Sequence, residues 1–218
     1  MLVFRGMKKR KVLDIQLQKR RKNRRSIFLD DGSVFGVSDD VFFSTPIHIG
    51  DTISEQVLNE ILDSESKTKI YNSAINLLSY RMRSKSELRH RLIRKNYNED
   101  SIIDVINNLE SKGYLDDKKF AHAFAKEKVK NKLIGPSALK FEMSSHDLNV
   151  DHVESAISSV YEVFPQEFLI KKLMTKWKVK DNIRNDTKIK GKITNRLKNK
   201  GFYWDDINKA INNSYIDD

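Results

Sequence analysis

A pattern of five apolar residues that occurs three times constrains the fold of this chain more than any other feature. Within each occurrence the residues follow one another at intervals of 4, 5, 5 and 4 positions, and the pattern returns after 51 and then 54 residues. The sets are Leu88, Leu92, Tyr97, Ile102 and Ile106; Leu139, Met143, Leu148, Val153 and Ile157; and Ile193, Leu197, Phe202, Ile207 and Ile211. Intervals of four follow the helical period, so each set predicts a helix, a short turn and a second helix.

A further apolar helix is predicted before each set, at about residues 67–80, 117–131 and 165–178. The chain from about Lys67 onward is therefore predicted to form three copies of a three-helix unit, called copies one, two and three below. Fixed-period similarity on this scale is typical of stacked modules. A generic helical protein also places apolar residues four apart, but five matched positions in three copies are harder to obtain in that way.

Residues that begin and end helices support the division. Gly113 and Gly201 are suited to helix C-termini, and Gly135-Pro136 and Pro165 to helix starts. Capping boxes, in which a hydroxyl and a carboxylate bond to backbone amides of the first turn, are predicted at 52–55 and 84–87.

The N-terminal part has a different period. Residues 12–18 alternate apolar and polar side chains, as a strand does, and the Asp31-Gly32 pair suits a tight hairpin turn. We expect a small β-meander over about 11–38. The predicted boundaries are 1–50 for the basic β-hairpin region, 51–66 for a connecting helix, 67–115 for copy one, 116–164 for copy two and 165–218 for copy three.

These patterns predict a mainly α fold: tandem three-helix, helix-turn-helix-like repeats in an elongated curved array, with a small N-terminal β-hairpin or meander. The scarcity of Gly (8) and Pro (3) in 218 residues suits helices rather than a turn-rich β-sandwich.

The net charge of +11, from 41 basic and 30 acidic residues, favours nucleic acid or a nucleoprotein complex as partner. The alternative is a Lys-rich proteome in which this charge has no function. The chain has no cysteine, which excludes disulfides and thiolate metal sites and fits a cytoplasmic protein. No long apolar run follows the basic N-terminus, so we expect no signal peptide and no membrane span. Met1 and Met7 are alternative translation starts.

The sequence of copy one resembles a known family. Residues 83–92 read R-S-x-x-E-L-x-x-x-L, and residues 102–121 contain I-x-x-V-I-x-x-L-x-x-x-G-Y-L-D-D-x-x-F-A. Copy two adds Lys132 followed by Gly135-Pro136, and residues 34–41 are similar to the lead-in of longer members. These patterns resemble the RecX family, regulators of the RecA recombinase. The resemblance is specific in copy one, moderate in copy two and weak in copy three.

The resemblance implies a regulator of homologous recombination, DNA repair and the SOS response that is not an enzyme. Such a protein docks on the RecA–DNA filament and suppresses ATP hydrolysis and strand exchange. It implies no cofactor and no metal, and we expect a monomer. One departure concerns copy two, where residues 137–143 are nearly neutral although the family usually has an arginine and a basic helix there. The contact surface of copy two is therefore expected to differ.

Thirteen basic residues are candidates for contact with RecA or DNA. Arginine suits both because its planar fork bonds carboxylate or phosphate in a bidentate way, whereas lysine acts as a point charge. Four candidates belong to the tract 19–25, which is predicted to be either a basic hairpin tip or a solvated loop. The candidates are Arg20, Arg21, Arg24, Arg25, Arg81, Arg83, Lys85, Arg89, Arg91, Arg94, Lys95, Lys192 and Lys198.

Aromatic residues are interpreted mainly as packing. The predicted core aromatics are Tyr97, Tyr114, Phe120, Phe124 and Phe202. Helix-junction packing is preferred for Trp177 and Trp204, with base stacking as the alternative. The histidines lack a metal-ligand spacing, and no phosphate-binding glycine pattern or nucleophile elbow is present, which disfavours an enzyme.

Two alternatives to a RecA-filament regulator remain open at this point. One is a free-standing DNA-binding protein built from helix-turn-helix-like units. Such a protein should be basic in every unit, whereas copy two is only weakly basic. The other is a structural helical adaptor in which the charge is incidental.

Overall fold

The computed structural model describes residues 9–179 and 186–212, so both alternative translation starts lie outside the described residues. The N-terminal region contains four strands and one short helix. They are β1 (Lys9–Gln18), β2 (Arg21–Leu29), β3 (Val34–Ser38), α1 (Asp39–Ser44) and β4 (Thr52–Ser54). The strands form one antiparallel sheet in the order β3-β2-β1-β4. The predicted meander is confirmed, whereas α1 and β4 were not anticipated.

One face of this sheet forms an apolar core. Val12, Ile27 and Val37 alternate with more exposed neighbours along their strands and are almost fully buried. Val41 of α1 and Ile61 join them. At the β2–β3 turn Gly32 adopts φ +80°, the left-handed conformation expected for the Asp-Gly pair.

The remainder of the described chain is helical. Its helices are α2 (Glu55–Tyr80), α3 (Lys85–Ile93), α4 (Glu99–Ser111), α5 (Asp117–Lys132), α6 (Pro136–Met143), α7 (Val150–Val163), α8 (Gln166–Lys176), α9 (Thr187–Asn199) and α10 (Trp204–Asn212). A single 3₁₀ turn follows α6 at Ser144–His146. Among the described residues, no helix is long and apolar enough to cross a membrane.

The predicted division between a connecting helix and copy one is not a structural boundary. Residues 55–80 contain neither Gly nor Pro, and they form the single helix α2. The capping box predicted at 52–55 is also wrong. Thr52 lies in β4, and Ser54 caps the helix by accepting a hydrogen bond from Val57 N at 3.2 Å. At 84–87 the predicted cap is present, because Ser84 Oγ accepts from Glu87 N at 3.1 Å.

The three copies share a backbone feature that the apolar spacing did not reveal. The residue just before the third apolar position has a left-handed conformation in each copy: Asn96 (φ 60°), Asp147 (φ 50°) and Gly201 (φ +87°). All fifteen apolar positions of the repeat are buried or partly buried. The tandem three-helix prediction is therefore confirmed by backbone conformation as well as by packing.

The aromatic predictions were mostly correct. Phe120 and Phe202 are buried, and Phe124 packs against the same core. Tyr114 is the exception, since it is 58% exposed. Its neighbour Leu115 is buried in its place, two residues after the left-handed Gly113.

The chain divides into two compact units that do not follow the predicted domains. Of the described residues, one unit contains 9–81 and 89–109, and the other contains 82–88, 110–179 and 186–212. Within the second unit, copies two and three meet through backbone. Gly135 N donates to Lys200 O at 2.8 Å, and Ser137 N donates to Gly201 O at 3.1 Å. A Cβ on Gly135 would lie 2.3 Å from Gly201 O, so this approach requires a glycine.

Candidate docking surfaces

The basic tract 19–25 is divided between a turn and a strand. Only Lys19 and Arg20 form the turn, and β2 begins at Arg21. Neither the hairpin tip nor the solvated loop therefore extends over the whole tract. Arg20 and Arg21 are exposed and remain available to a partner.

Arg24 and Arg25 have structural partners instead. Arg24 Nη1 lies 2.5 Å from Glu65 Oε1 of α2, and Arg24 Nη2 donates to Gly36 O at 3.1 Å. Arg25 Nε donates to Asp39 Oδ1 at 3.0 Å, and its guanidinium lies 4.6 Å from the centre of the Phe42 ring. These contacts tie the sheet to α2 and α1, which places both arginines in the fold rather than on an open surface.

Glu65 is the acidic centre of this arrangement. Burial alone would raise the pKa of its carboxyl group, but hydrogen bonds from Ser38 N and from Arg24 outweigh burial and lower the pKa. The distance from Ser38 N to Glu65 Oε2 is 2.7 Å. Glu65 is thus held as a carboxylate where α2 meets β2 and β3.

Helix α3 carries the largest group of predicted contact residues. Leu88 and Leu92 are fully buried, as expected, and His90 and Arg94 are exposed. Arg83 does not fit the prediction of a contact residue. It is only 7% exposed and forms an ion pair with Glu87 one turn later, so its guanidinium is used inside the fold.

Other cations of copy one also have acidic or hydroxyl partners. Lys85 Nζ lies 2.9 Å from Glu110 Oε1, and this hydrogen bond is the main cause of a raised pKa for Lys85. Arg89 pairs with Glu99. Lys95 Nζ donates to Ser73 Oγ at 2.8 Å.

The remaining candidates of copy one are accessible to different degrees. Arg81 and Arg94 are exposed, and Arg91 is partly exposed. Arg94 Nε has a weak contact of 3.4 Å with His90 O. A partner could therefore reach these three arginines.

Copy two has a different kind of exposed side chain. Phe141 of α6 is 80% exposed and occupies the repeat position of His90 in copy one. The nearby acidic residue Glu142 is paired with Lys128 (3.3 Å) and Lys132. Hydrogen bonding to Lys132 is the main cause that lowers the pKa of Glu142. The expected departure of copy two thus takes the form of an exposed aromatic ring.

Copy three combines exposed cations with aromatic rings. Lys192 and Lys198 of α9 are exposed, and Lys198 Nζ lies 5.1 Å from the centre of the Trp204 ring. Trp204 is 50% exposed, so the preferred helix-junction packing covers only part of this residue. Trp177 behaves as predicted, because it packs against the core and has the Arg196 guanidinium 3.8 Å from its ring centre.

A cleft in the N-terminal unit was missed by sequence reasoning. It measures about 440 Å³ and is lined by Asp40, Lys67, Thr68, Tyr71, Asn72, Asp104, Val105 and Asn108. Lys67 Nζ lies 2.7 Å from Asp104 and 3.1 Å from Asp63. Hydrogen bonds to Asp104 and then Asp63 raise the pKa of Lys67. The cleft depends on residues distant in sequence, so no local motif marks it.

The described residues contain no cluster of three or more His, Asp or Glu side chains that could hold a metal ion. His146 lies among aromatic rings, 5.0 Å from Phe120 and 4.6 Å from Phe124 between ring centres. Its position is that of a packing residue. The surfaces described above are suited to binding a charged partner.

Comparisons with known proteins identify the family. A family model described as the first three-helix domain of RecX matches residues 71–109. The regulatory protein RecX of Bacillus pumilus (strain SAFR-032) is 30% identical over 204 residues, which cover 94% of this chain and 77% of that protein. The regulatory protein RecX of Bacillus subtilis (strain 168) is 31% identical over 201 residues, covering 92% of this chain and 75% of that protein.

Solved structures agree with this result. A crystal structure of regulatory protein RecX matches with a TM-score of 0.73 and 24% identity, over 93% of this chain and 98% of that one. The structure of RecX from Lactobacillus salivarius matches with a TM-score of 0.58 and 25% identity, over 68% of this chain and 96% of that one. The chain belongs to the RecX family of regulatory proteins.

Proposed function

We propose that this protein binds the filament that RecA forms on single-stranded DNA and limits its ATP hydrolysis and strand exchange. Membership of the RecX family supports the proposal, because the family's regulators act on RecA. The protein acts in the cytoplasm, as a monomer and without a cofactor. It performs no reaction itself and changes the activity of the filament by binding.

One observation carries the proposal: the three copies share a fold, but they differ in the side chains that they expose. At equivalent helix positions the three copies have His90, Phe141 and Asn195. An array that reads the DNA groove should be basic in every unit. A surface that meets both protein and DNA in a filament needs cations in some units and apolar anchors in others. The neutral, aromatic face of copy two fits the filament.

The repeated architecture also suggests how the protein distinguishes a filament from free RecA. Helix α4 ends at Ser111 and α5 begins at Asp117, while α7 ends at Val163 and α8 begins at Gln166. Short connections keep the effective concentration of the second and third contacts high once the first has formed. Contacts that are weak individually then add only where RecA protomers are adjacent.

The proposal is tested by measuring ATP hydrolysis of RecA from the same organism on single-stranded DNA. The protein is titrated from well below one molecule per RecA, at two salt concentrations. We expect inhibition at substoichiometric amounts, since one bound molecule affects the growth or breakage of many protomers. No inhibition together with salt-sensitive binding to naked DNA would instead support a free-standing DNA-binding protein.

The contact surface is tested by replacing Arg89, Arg91 and Arg94 together with Ala. We expect inhibition of RecA to weaken by about tenfold, corresponding to about 1.4 kcal/mol, with little change in the unfolding midpoint. The matched control removes the same number of charges from exposed lysines of α5, namely Lys118, Lys126 and Lys130. Normal inhibition by the arginine variant would show that this site is assigned wrongly.

A further inference from the structure

We propose that the cleft between α1, α2 and α4 binds a linear aliphatic polyamine, a chain of methylene groups with two or more ammonium groups. The inference goes beyond the proposed function, because it assigns a small-molecule site that needs neither RecA nor DNA. The residues that line the cleft all belong to one compact unit of the chain. The proposal rests on the shape of the cleft, on its lining, and on an ammonium group of the protein itself.

The cleft occupies a groove that the repeat forms twice. In copy one the groove lies between α2 and α4, where Tyr71 and Val105 line it. A shift of 51 residues, the interval between copies one and two, leads to His122 and Ala156. These two residues line a pocket between α5 and α7 of copy two. The two grooves are therefore equivalent, and the three-helix fold accounts for both.

The N-terminal region enlarges this groove in copy one. Helix α1 adds Asp40 to the lining, and the cleft reaches about 440 Å³, whereas the pocket of copy two measures about 190 Å³. Sites for small molecules typically measure about 300–1,000 Å³. Asp40, Thr68 and Asn72 also line a neighbouring pocket of about 110 Å³. The cavity thus continues past Asp40, which suits an extended ligand.

The lining of the cleft combines an apolar floor with an acidic rim. Val105 is buried and Tyr71 is partly buried, whereas Asp40 and Asp104 are exposed. No carboxylate lines the described pocket of copy two, where Lys126 is a lining residue instead. Although the whole chain has a net charge of +11, the copy-one cleft has two acidic residues and one basic residue. This cleft therefore favours a cation, and its floor can cover methylene groups.

An ammonium group of the protein already lies in the cleft. Lys67 Nζ is 2.7 Å from Asp104 Oδ2 and 3.1 Å from Asp63 Oδ2. The Asp104 side chain remains 58% exposed, so its other oxygen can accept from a second ammonium. Asp40 forms no ion pair or side-chain hydrogen bond within residues 9–179 and 186–212. Asp40 and Asp104 are therefore the lining carboxylates that a ligand can reach.

A polyamine matches both parts of the lining. Like a lysine side chain, it has apolar methylenes that cover an apolar surface and ammonium groups that reach a polar rim. The methylenes would lie over Tyr71 and Val105, with one ammonium at Asp40 and another at Asp104. An inorganic cation would meet the carboxylates without covering the floor. The ligand class is therefore an organic polycation.

Binding is measured by isothermal titration calorimetry on the full chain, without RecA or nucleic acid, because DNA itself attracts polyamines. The probes are spermidine, butylamine, hexamminecobalt(III) and a trilysine peptide blocked at both ends. Spermidine, the cobalt complex and the peptide carry the same charge. We expect spermidine to bind most tightly, and butylamine to bind at least about tenfold more weakly because it has a single ammonium group.

Three variants locate the site. Asp40→Asn and Asp104→Asn should each weaken spermidine binding by about tenfold, the loss of one charge-assisted hydrogen bond. Asp40→Asn should leave the unfolding midpoint unchanged. Asn72→Arg places a guanidinium at the cleft and should weaken binding by more than about tenfold. The matched control is Asp100→Asn, an exposed carboxylate of α4 outside the cleft, which should bind as the wild type does.

Three results would overturn the proposal. One is the absence of spermidine binding, or binding that Asp40→Asn and Asp104→Asn leave unchanged. Another is equal affinity for hexamminecobalt(III), which would show attraction by charge alone. The third is a trilysine peptide that binds as tightly as spermidine or more tightly, because the cleft would then accept lysine side chains of a protein. RecA inhibition by Asp40→Asn without polyamine should match the wild type, which separates this inference from the proposed function.

Discussion

Copies one and three have the same arrangement of helices and apolar residues but use their basic residues differently. In copy one, Arg83 is paired with Glu87, Lys85 with Glu110 and Arg89 with Glu99. In copy three, no acidic residue lies between 187 and 204, and the exposed α9 lysines lack ion pairs within the described chain. A similar density of basic residues therefore corresponds to two different surfaces.

The difference shows that charge in a sequence is not the same as charge available to a partner. An arginine that neutralises a neighbouring carboxylate presents little net field to an approaching phosphate. The basic residues of copy one are closer together in the sequence, yet copy three presents more unneutralised charge. This contrast can be tested with paired variants, in which an ion-paired or constrained residue is replaced in one copy and its counterpart is replaced in another.

The largest effect is expected at the left-handed turn, where the copies share a conformation but not a residue. Ala in place of Gly201 would strain a residue at φ +87° and place a Cβ 2.3 Å from Ala138 N. The backbone of α6 cannot move away easily, so we expect the free energy of unfolding to fall by about 3 kcal/mol. Asn96→Ala in copy one should lower the free energy of unfolding by about 1 kcal/mol. The only change there is that alanine favours the left-handed conformation less than asparagine does. Urea denaturation of both variants measures the difference, and equal costs would contradict it.

The next effect separates a structural arginine from an exposed lysine. Arg83→Met keeps the apolar stem but leaves the partly buried carboxylate of Glu87 without this cation. We expect a loss of about 2 kcal/mol, below the range for a fully buried pair because Glu87 keeps some contact with water. Lys192→Met should stay within about 0.5 kcal/mol of the wild type. Thermal unfolding at pH 7 compares the two, and an equal shift in Tm would show that both cations are structural.

The same contrast between partnered and exposed cations applies within the basic tract of the N-terminal region. Glu65→Gln removes the carboxylate that pairs with Arg24, and we expect a loss of about 1.5 kcal/mol at pH 7. The pKa of Glu65 is lowered in the folded protein, so its contribution is complete above the unfolded pKa and is lost as pH falls through the folded pKa. The variant should therefore approach the wild type below about pH 4.

Chemical denaturation between pH 7 and pH 3 measures this convergence. Arg20→Met is the matched control from the exposed turn, and it should follow the wild type throughout. A Glu65→Gln deficit that stays constant down to pH 3 would show that the side chain stabilises the fold by packing rather than by charge.

The repeat could be predicted because packing leaves a periodic trace in the sequence. Leu88, Leu139 and Ile193 must be apolar since each faces a core, and spacing alone reveals them. The shared left-handed turn was not predictable from Asn96 and Asp147, because such residues occur in many conformations. The continuous helix α2 could have been found from the absence of Gly and Pro in residues 55–80, but the start of the repeat at Lys67 suggested a boundary there.

The division of cations into structural and exposed could not be predicted for a different reason. Arg24 and Glu65 are 41 residues apart, and Lys85 and Glu110 are 25 apart. Such pairs depend on how distant segments meet, and no local pattern records that. The assignment of Arg24 to a partner surface from charge alone did not anticipate such a contact. Arg83 differs, since its partner Glu87 lies four residues later, a helical spacing that the sequence does show. Trp204 shows the converse, since its 50% exposure follows from the structure and not from any local pattern in the sequence.

The smallest effect concerns the solvent-exposed ion pair between Lys85 and Glu110 of copy one. Their side chains are 38% and 46% exposed, so water and salt screen the attraction to about 0.5 kcal/mol or less. The pKa of Lys85 is raised, mainly by its hydrogen bond to Glu110. The contribution of the pair to the free energy of unfolding is therefore complete below the pKa that Lys85 has in the unfolded chain. It is lost as the pH rises through the pKa that Lys85 has in the folded protein.

A double-mutant cycle of Lys85→Met and Glu110→Gln measures the coupling at pH 7 and again near pH 11.5. We expect a small coupling energy that fades at the higher pH, whereas a coupling above 1 kcal/mol would show that the pair is structural. If the coupling is near zero, the pair neutralises Lys85 without stabilising the fold. Glu110→Gln should then leave stability unchanged and increase the attraction of copy one for anions. Copy one would become more like copy three through the loss of one carboxylate, with no change in its backbone.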